Sequence, residues 1–119
     1  MAEQSRPNVT GKGPSLVREM LVVFKETEGN LGNLSDGAAE KIKSALSEKG
    51  GALKAVIRMA YMKTVKAGEI AYDCKQMALE LKESIASGNE DNALEILDKL
   101  GSDLDAFIRK IKTFVVRMT

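Results

Sequence analysis

The sequence predicts an all-α fold, a helical bundle of four to five helices. From residue 15 onward apolar residues recur at steps of three and four, and no segment shows the sustained alternation of a β-strand. Both prolines lie within residues 1–14, so no proline interrupts the later helices. With 119 residues, of which 44% are apolar and 29% charged, the chain suits one domain with its own core.

Two regions are expected, a flexible N-terminal arm over residues 1–14 and a single helical-bundle domain over residues 15–119. The arm holds both prolines and few apolar side chains. The segment SLVREMLVVFKETE then predicts the first helix because its apolar side chains share one face. That face comprises Leu16, Val17, Met20, Val23 and Phe24.

The second predicted helix is AAEKIKSALSEK, which follows Ser35 or Asp36 as its N-cap. Its apolar stripe is narrow, so we expect this helix at the periphery of the bundle. Gly50 and Gly51 are expected to end it, since glycine favours helix C-termini. The stripe consists of Ala38, Ile42, Ala45 and Leu46.

A long central helix is predicted over about residues 52–86. Only Gly68 opposes helix formation there, at a cost of about 1 kcal/mol relative to alanine. Two shorter helices hinged at Gly68 are the alternative.

One face of this central segment carries mostly small side chains, and small side chains let helix axes approach closely. We expect this central seam to pack either against the first and last helices of the same chain or against a partner, such as a second copy. The central seam comprises Leu53, Ile57, Ala60, Thr64, Ala67, Ala71, Cys74, Ala78, Leu81 and Ile85.

The C-terminal third predicts two more helices. Asn89 is the candidate N-cap of the first, and Gly101 is expected to end or bend it. Ser102 and Asp105 form a capping box for the second, whose apolar side chains make the clearest face in the chain. That face comprises Leu104, Phe107, Ile108, Ile111, Phe114, Val115 and Met118.

The side-chain chemistry argues against catalysis. The chain has no histidine, which removes the commonest general base and most zinc sites, and its one cysteine, Cys74, lies on an apolar face. Acid pairs occur in predicted first turns, where carboxylates complement the helix dipole. We therefore expect no enzyme, no catalytic residue, no cofactor, no metal and no small-molecule substrate. A catalyst built from carboxylates alone is the enzymatic alternative.

The net charge of +1 hides an uneven distribution. Residues 52–68 and residues 106–119 each hold four basic side chains and no acid, and helical wheels place both sets opposite apolar faces. Such sets can bind phosphate groups, although charged outer faces are also ordinary on helices. The candidate nucleic-acid contacts are Lys54, Arg58, Lys63, Lys66, Arg109, Lys110, Lys112 and Arg117.

Few other side chains near these sets suit recognition. Tyr61 is the one aromatic residue among the first basic set, where it could stack on a base. Met59 and Met62 are expected to be exposed beside it, and methionine suits adaptable contact surfaces.

Two functional hypotheses follow. The first is a non-catalytic helical assembly subunit that packs against a protein partner or forms a homo-oligomer. The second is a small subunit of a nucleoprotein complex that contacts nucleic-acid backbone without reading sequence. In size, helical plan and basic faces the chain resembles the small helical subunits of CRISPR effector complexes, at the level of fold and without a shared motif. No signal peptide or bilayer-spanning run is recognisable, so we expect a cytoplasmic protein that does not act at a membrane.

Overall fold

The computed structural model describes residues 8–114, and in this range the chain forms a bundle of α-helices without a strand. The predicted all-α bundle is thus confirmed for these residues. Its elements are α1 (Gly13–Glu28), α2 (Asp36–Val56), a short 3₁₀ helix (Ala60–Lys63), α3 (Val65–Ala86) and α4 (Glu90–Thr113).

Side-chain caps set the start of most helices. Ser35 and Asn89 accept hydrogen bonds from the backbone N–H three residues further on, at 3.4 and 3.2 Å, as their positions in the sequence predict. At α1, Pro14 stands in the first turn, where its missing N–H costs no intrahelical hydrogen bond.

Helices α1 and α3 run in the same direction. Lys75 Nζ lies 2.6 Å from Glu19 Oε1, and Lys82 Nζ lies 2.7 Å from Glu26 Oε1. From the first ion pair to the second, α1 and α3 each advance by seven residues, about two helical turns, in the same direction. The two helices are therefore parallel.

Helices α2 and α4 are also parallel. Glu90 accepts hydrogen bonds from the Ser35 backbone N–H and hydroxyl, and further along Lys49 Nζ lies 2.7 Å from Asp105 Oδ1. Helix α1 packs on α2 and α3, and α4 packs on the same two, while the diagonal pairs α1–α4 and α2–α3 have no Cα atoms within 8 Å of each other. The fold is therefore two helical hairpins, α1–α2 and α3–α4, lying side by side in one orientation.

The single helix predicted over residues 52–86 is not present. Helix α2 continues through Gly50 and Gly51 to Val56, and the chain then leaves the α-helical path over residues 57–64, which we call the connector. The connector includes the 3₁₀ helix and turns the chain back so that α3 starts beside the start of α1.

Thr64 ends the connector by capping α3. Its backbone is extended, with φ −78° and ψ 159°, and its Oγ1 accepts a hydrogen bond from the Ala67 N–H at 3.1 Å. The same hydroxyl donates to the Tyr61 carbonyl at 2.8 Å. This local network replaces the helical hydrogen bonds that a continuous helix would have formed.

Gly68 is not a hinge, because it lies inside α3. A Cβ there would collide with the Val9 carbonyl oxygen and lie 3.0 Å from the Val9 Cβ. Val9 belongs to the predicted N-terminal arm, yet it is buried against α3, and residues 1–7 of that arm lie outside the described residues. The glycine lets the chain entering α1 cross α3 closely.

The predicted helix end at Gly101 and the capping box of Ser102 and Asp105 were also wrong, since α4 is one helix through these residues. Buried side chains keep a single register through the glycine, with Leu97 and Leu100 before it and Leu104 and Phe107 after it. Packing of this continuous apolar face outweighs the local preference of glycine for a helix end. Val115 and Met118 of the predicted face lie outside the described residues.

Candidate nucleic-acid interface

The central seam is divided between two helices and the connector. Its α3 part is fully covered within the isolated chain: Ala67, Ala71, Cys74 and Ala78 are at most 2% exposed, because α3 lies between α1 and α4. The α3 part of the central seam is therefore packed against helices of the same chain and not against a partner. Of the remaining seam residues, Leu81 and Ile85 are buried on α3, Leu53 is buried on α2, Ile57 and Thr64 are half-buried, and Ala60 is exposed.

The two basic sets, distant in sequence, meet at one end of the bundle. The pair Lys49–Asp105 aligns α2 with α4, so Lys54 and Lys110 lie at the same height, with Lys54 on the side of α1 and Lys110 on the side of α3. The 3₁₀ helix packs on α4, which places the connector beside the α4 C-terminus. We call this surface the basic end; it comprises Lys54, Arg58, Lys63, Lys66, Arg109, Lys110 and Lys112.

The charges of the basic end are available to a ligand. All seven side chains are exposed, and none forms an ion pair with an acid in the described part of the chain. Arg117, the eighth candidate contact, lies outside the described residues.

The aromatic side chains at this end differ from the expectation. Tyr61 is only 6% exposed, because its ring packs 6.4 Å from the ring of Phe107 and 5.2 Å from that of Phe114, so it cannot stack on a base. Phe114 is 41% exposed instead. The sequence placed Phe114 on an apolar face, whereas in the structure it directly follows the last residue of α4 with an extended backbone.

Apolar side chains accompany the cations. Met59 and Val65 are 40% and 49% exposed, so the basic end carries most of the large exposed apolar groups of the described chain. The expectation of an exposed Met62 was wrong: this side chain is fully buried. Its backbone approaches α1 so closely that a Cβ at Gly13 would collide with its carbonyl oxygen.

The Tyr61 hydroxyl is buried and has no hydrogen-bond partner in the described structure. Burial also raises the pKa of this phenol above its ordinary value. An unpartnered buried hydroxyl is unfavourable, so this conformation of the connector carries a local energetic cost.

A crevice of about 250 Å³ lies between α3 and α4 near the basic end. Cys74 lies at its wall, and burial, with the negative charges of Asp103 and Asp73, raises the pKa of the thiol to about 12. Such a thiol is protonated at neutral pH and is a poor nucleophile or metal ligand. No group of three or more acidic or thiol side chains within residues 8–114 is placed to hold a metal ion.

None of the described helices combines the length and apolar character needed to cross a bilayer. The chain matches no protein-family model, and neither a curated protein nor a solved structure shows significant similarity to it.

Proposed function

We propose that the protein is a non-catalytic helical subunit that holds the sugar-phosphate backbone of a nucleic acid at its basic end. The observation that supports this most is that two acid-free basic segments lie at the same end of the bundle, because α2 and α4 pack in parallel. The first segment spans the end of α2, the connector and the start of α3, and the second lies at the end of α4. Together they give this end of the bundle an excess of positive side chains that suits a polyanion.

The arrangement favours binding without sequence specificity. Lysine and arginine contact phosphate oxygens, and such contacts position a nucleic acid without reading its bases. Phe114 is the one exposed aromatic ring in the described part of this surface, so base stacking contributes little. Binding is therefore expected to depend on charge and on salt concentration.

The opposite end of the bundle directs the orientation of binding. The turns at residues 29–35 and 87–89 lie together there, as the Ser35–Glu90 contact shows, and we call this the loop end. Acidic side chains predominate around it, so it repels phosphate. These acids are Glu26, Glu28, Asp36, Glu40, Glu80, Glu83, Glu90, Asp91 and Glu95.

A protein partner is the second candidate function, and the exposed apolar groups of the basic end favour it. Met59, Val65 and Phe114 lie among the cations, and apolar groups of this size suit a protein interface. The α3 part of the central seam does not support a protein partner, because other helices of the same chain bury it. Replacing Val65 and Phe114 with serine should abolish such a complex and leave nucleic-acid binding within a few-fold.

Charge reversal tests the first proposal. The basic-end variant carries Arg58→Glu, Lys66→Glu, Arg109→Glu and Lys112→Glu, all at exposed positions. We expect it to lose at least about tenfold in affinity for single- and double-stranded oligonucleotides, because each lost phosphate contact removes counterion release. Fluorescence anisotropy at fixed salt measures the binding.

The matched control reverses four exposed lysines away from the basic end that form no ion pair with a described acid: Lys25, Lys41, Lys43 and Lys99. Both variants change the net charge of the chain equally. The control should bind within a few-fold of the unmodified protein. Equal losses in both variants, or no binding by the unmodified protein, would overturn the proposal.

A further inference from the structure

We propose that two copies of this chain exchange hairpins, so that α1–α2 of one copy packs on α3–α4 of the other. The connector, residues 57–64, is the hinge of this exchange. The proposal is independent of the nucleic-acid function and concerns a second copy of the chain as partner.

The two hairpins are suited to exchange because they meet only through side-chain packing and a few polar contacts. Glu19 pairs with Lys75, Glu26 pairs with Lys82, and Lys49 pairs with Asp105. Each of these pairs joins one hairpin to the other. All can form between two copies with unchanged geometry, and the connector is the one covalent link between the hairpins.

The connector can adopt a continuous helix. It contains neither proline nor glycine, and no residue in it has a positive φ. The seam residues Ile57, Ala60 and Thr64 keep the helical spacing that links Leu53 on α2 to Ala67 on α3. A helical connector would therefore join α2 to α3 in a single register.

In the conformation described above, which we call closed, the connector contains a buried polar group without a hydrogen-bond partner. The Tyr61 hydroxyl is buried without a partner, and both Met59 within the connector and Val65 directly after it are exposed. Against this, closure buries Met62 and the Tyr61 ring. Exchange therefore trades the contacts of the 3₁₀ helix with α1, α3 and α4 for the hydrogen bonds of a continuous helix.

A helical connector forces the hairpins of one chain apart. The helix would run from Asp36 to Ala86, about 75 Å at 1.5 Å per residue. With α2 and α3 collinear, α1 cannot reach α3 of its own chain. The apolar faces of both hairpins are then covered only by a second copy.

Two substitutions of Val65 test the hinge. Val65 begins α3, its N–H donates no hydrogen bond to a described residue, and Thr64 before it is already extended. Val65→Pro therefore fits the closed connector but prevents a continuous helix, whereas Val65→Ala permits both.

The unmodified protein and both variants are refolded at increasing concentration and analysed by light scattering after size exclusion. We expect a dimer fraction that rises with concentration for the unmodified protein and Val65→Ala, and monomer alone for Val65→Pro. Circular dichroism checks that Val65→Pro remains helical. Absence of dimer from the unmodified protein, or equal dimer from both variants, would overturn the proposal.

Cross-linking gives a readout that does not depend on the proline variant. Equal amounts of ¹⁴N- and ¹⁵N-labelled protein are refolded together, and a carbodiimide couples lysine to carboxylate at the ion pairs between the hairpins. Mass spectrometry of the dimer peak should show Glu19–Lys75 and Lys49–Asp105 peptides of mixed isotope. If these peptides contain one isotope only, the dimer forms without exchange and the proposal is wrong.

Discussion

Two glycines that lie inside helices, the buried Gly68 of α3 and the exposed Gly51 of α2, have opposite roles at the scale of single residues. A Cβ at Gly68 would collide with the Val9 carbonyl oxygen, whereas a Cβ at Gly51 would meet no atom within 4 Å. Gly68 is therefore required by the crossing of two chain segments. Gly51 lowers the helix propensity of α2 without a packing reason within the described structure.

Alanine substitution separates these roles. We expect Gly68→Ala to lower the free energy of unfolding by about 1–3 kcal/mol, since Val9 must move. Gly51→Ala should raise it by about 1 kcal/mol, because alanine is the better helix former. Urea denaturation measures both. A change of the same sign at both positions would contradict the close approach of Val9 to α3.

Cys74 gives a pH-dependent signature of burial. Its pKa is raised from 9.0 to about 12, chiefly by burial. Below pH 9 the thiol is protonated in the folded and unfolded chains, so its contribution to stability is constant. Above pH 9 the unfolded chain loses the proton and the folded chain keeps it. This thiol should then lower the free energy of unfolding by about 1.4 kcal/mol per pH unit.

The control is Cys74→Ala, which lacks the thiol and should show a shallower decline of stability above pH 9. Denaturant titrations of both proteins on either side of pH 9 give the two slopes. Parallel slopes would show that the thiol is accessible to solvent in the folded protein.

At the scale of elements, the existence of the helices was predictable and several of their ends were not. Ser35 and Asn89 are recognisable caps because their side chains bond to the first turn of their own helix, a local interaction. The glycines, in contrast, did not predict helix ends correctly. Gly50, Gly51 and Gly101 all lie within helices, because burial of the apolar faces offsets about 1 kcal/mol per glycine.

The connector shows why periodicity alone could not place the break in the predicted central helix. Steps of three and four continue through residues 57–64, so the local pattern fits one helix or two. The choice depends on α3 folding back to pack on α1, a contact between segments far apart in sequence. Thr64 provides a local signal for the break, but no acid follows at Ala67 to complete a capping box.

At the scale of the whole molecule, sequence identified the two basic sets but not their convergence. Their meeting depends on the parallel packing of α2 and α4, which the ion pair Lys49–Asp105 reports and which no local pattern encodes. The same arrangement collects acids at the loop end. The bundle therefore has one positive and one negative end despite a net charge of +1.

The salt dependence of nucleic-acid binding tests the account most directly. If the seven described cations of the basic end each neutralise a phosphate of a single strand, log K should fall with log salt at a slope of about −5. Glutamine at Arg58, Lys66, Arg109 and Lys112 should reduce the slope to about −2. Affinity that is independent of salt, or a slope unchanged by these four substitutions, would contradict binding at the basic end.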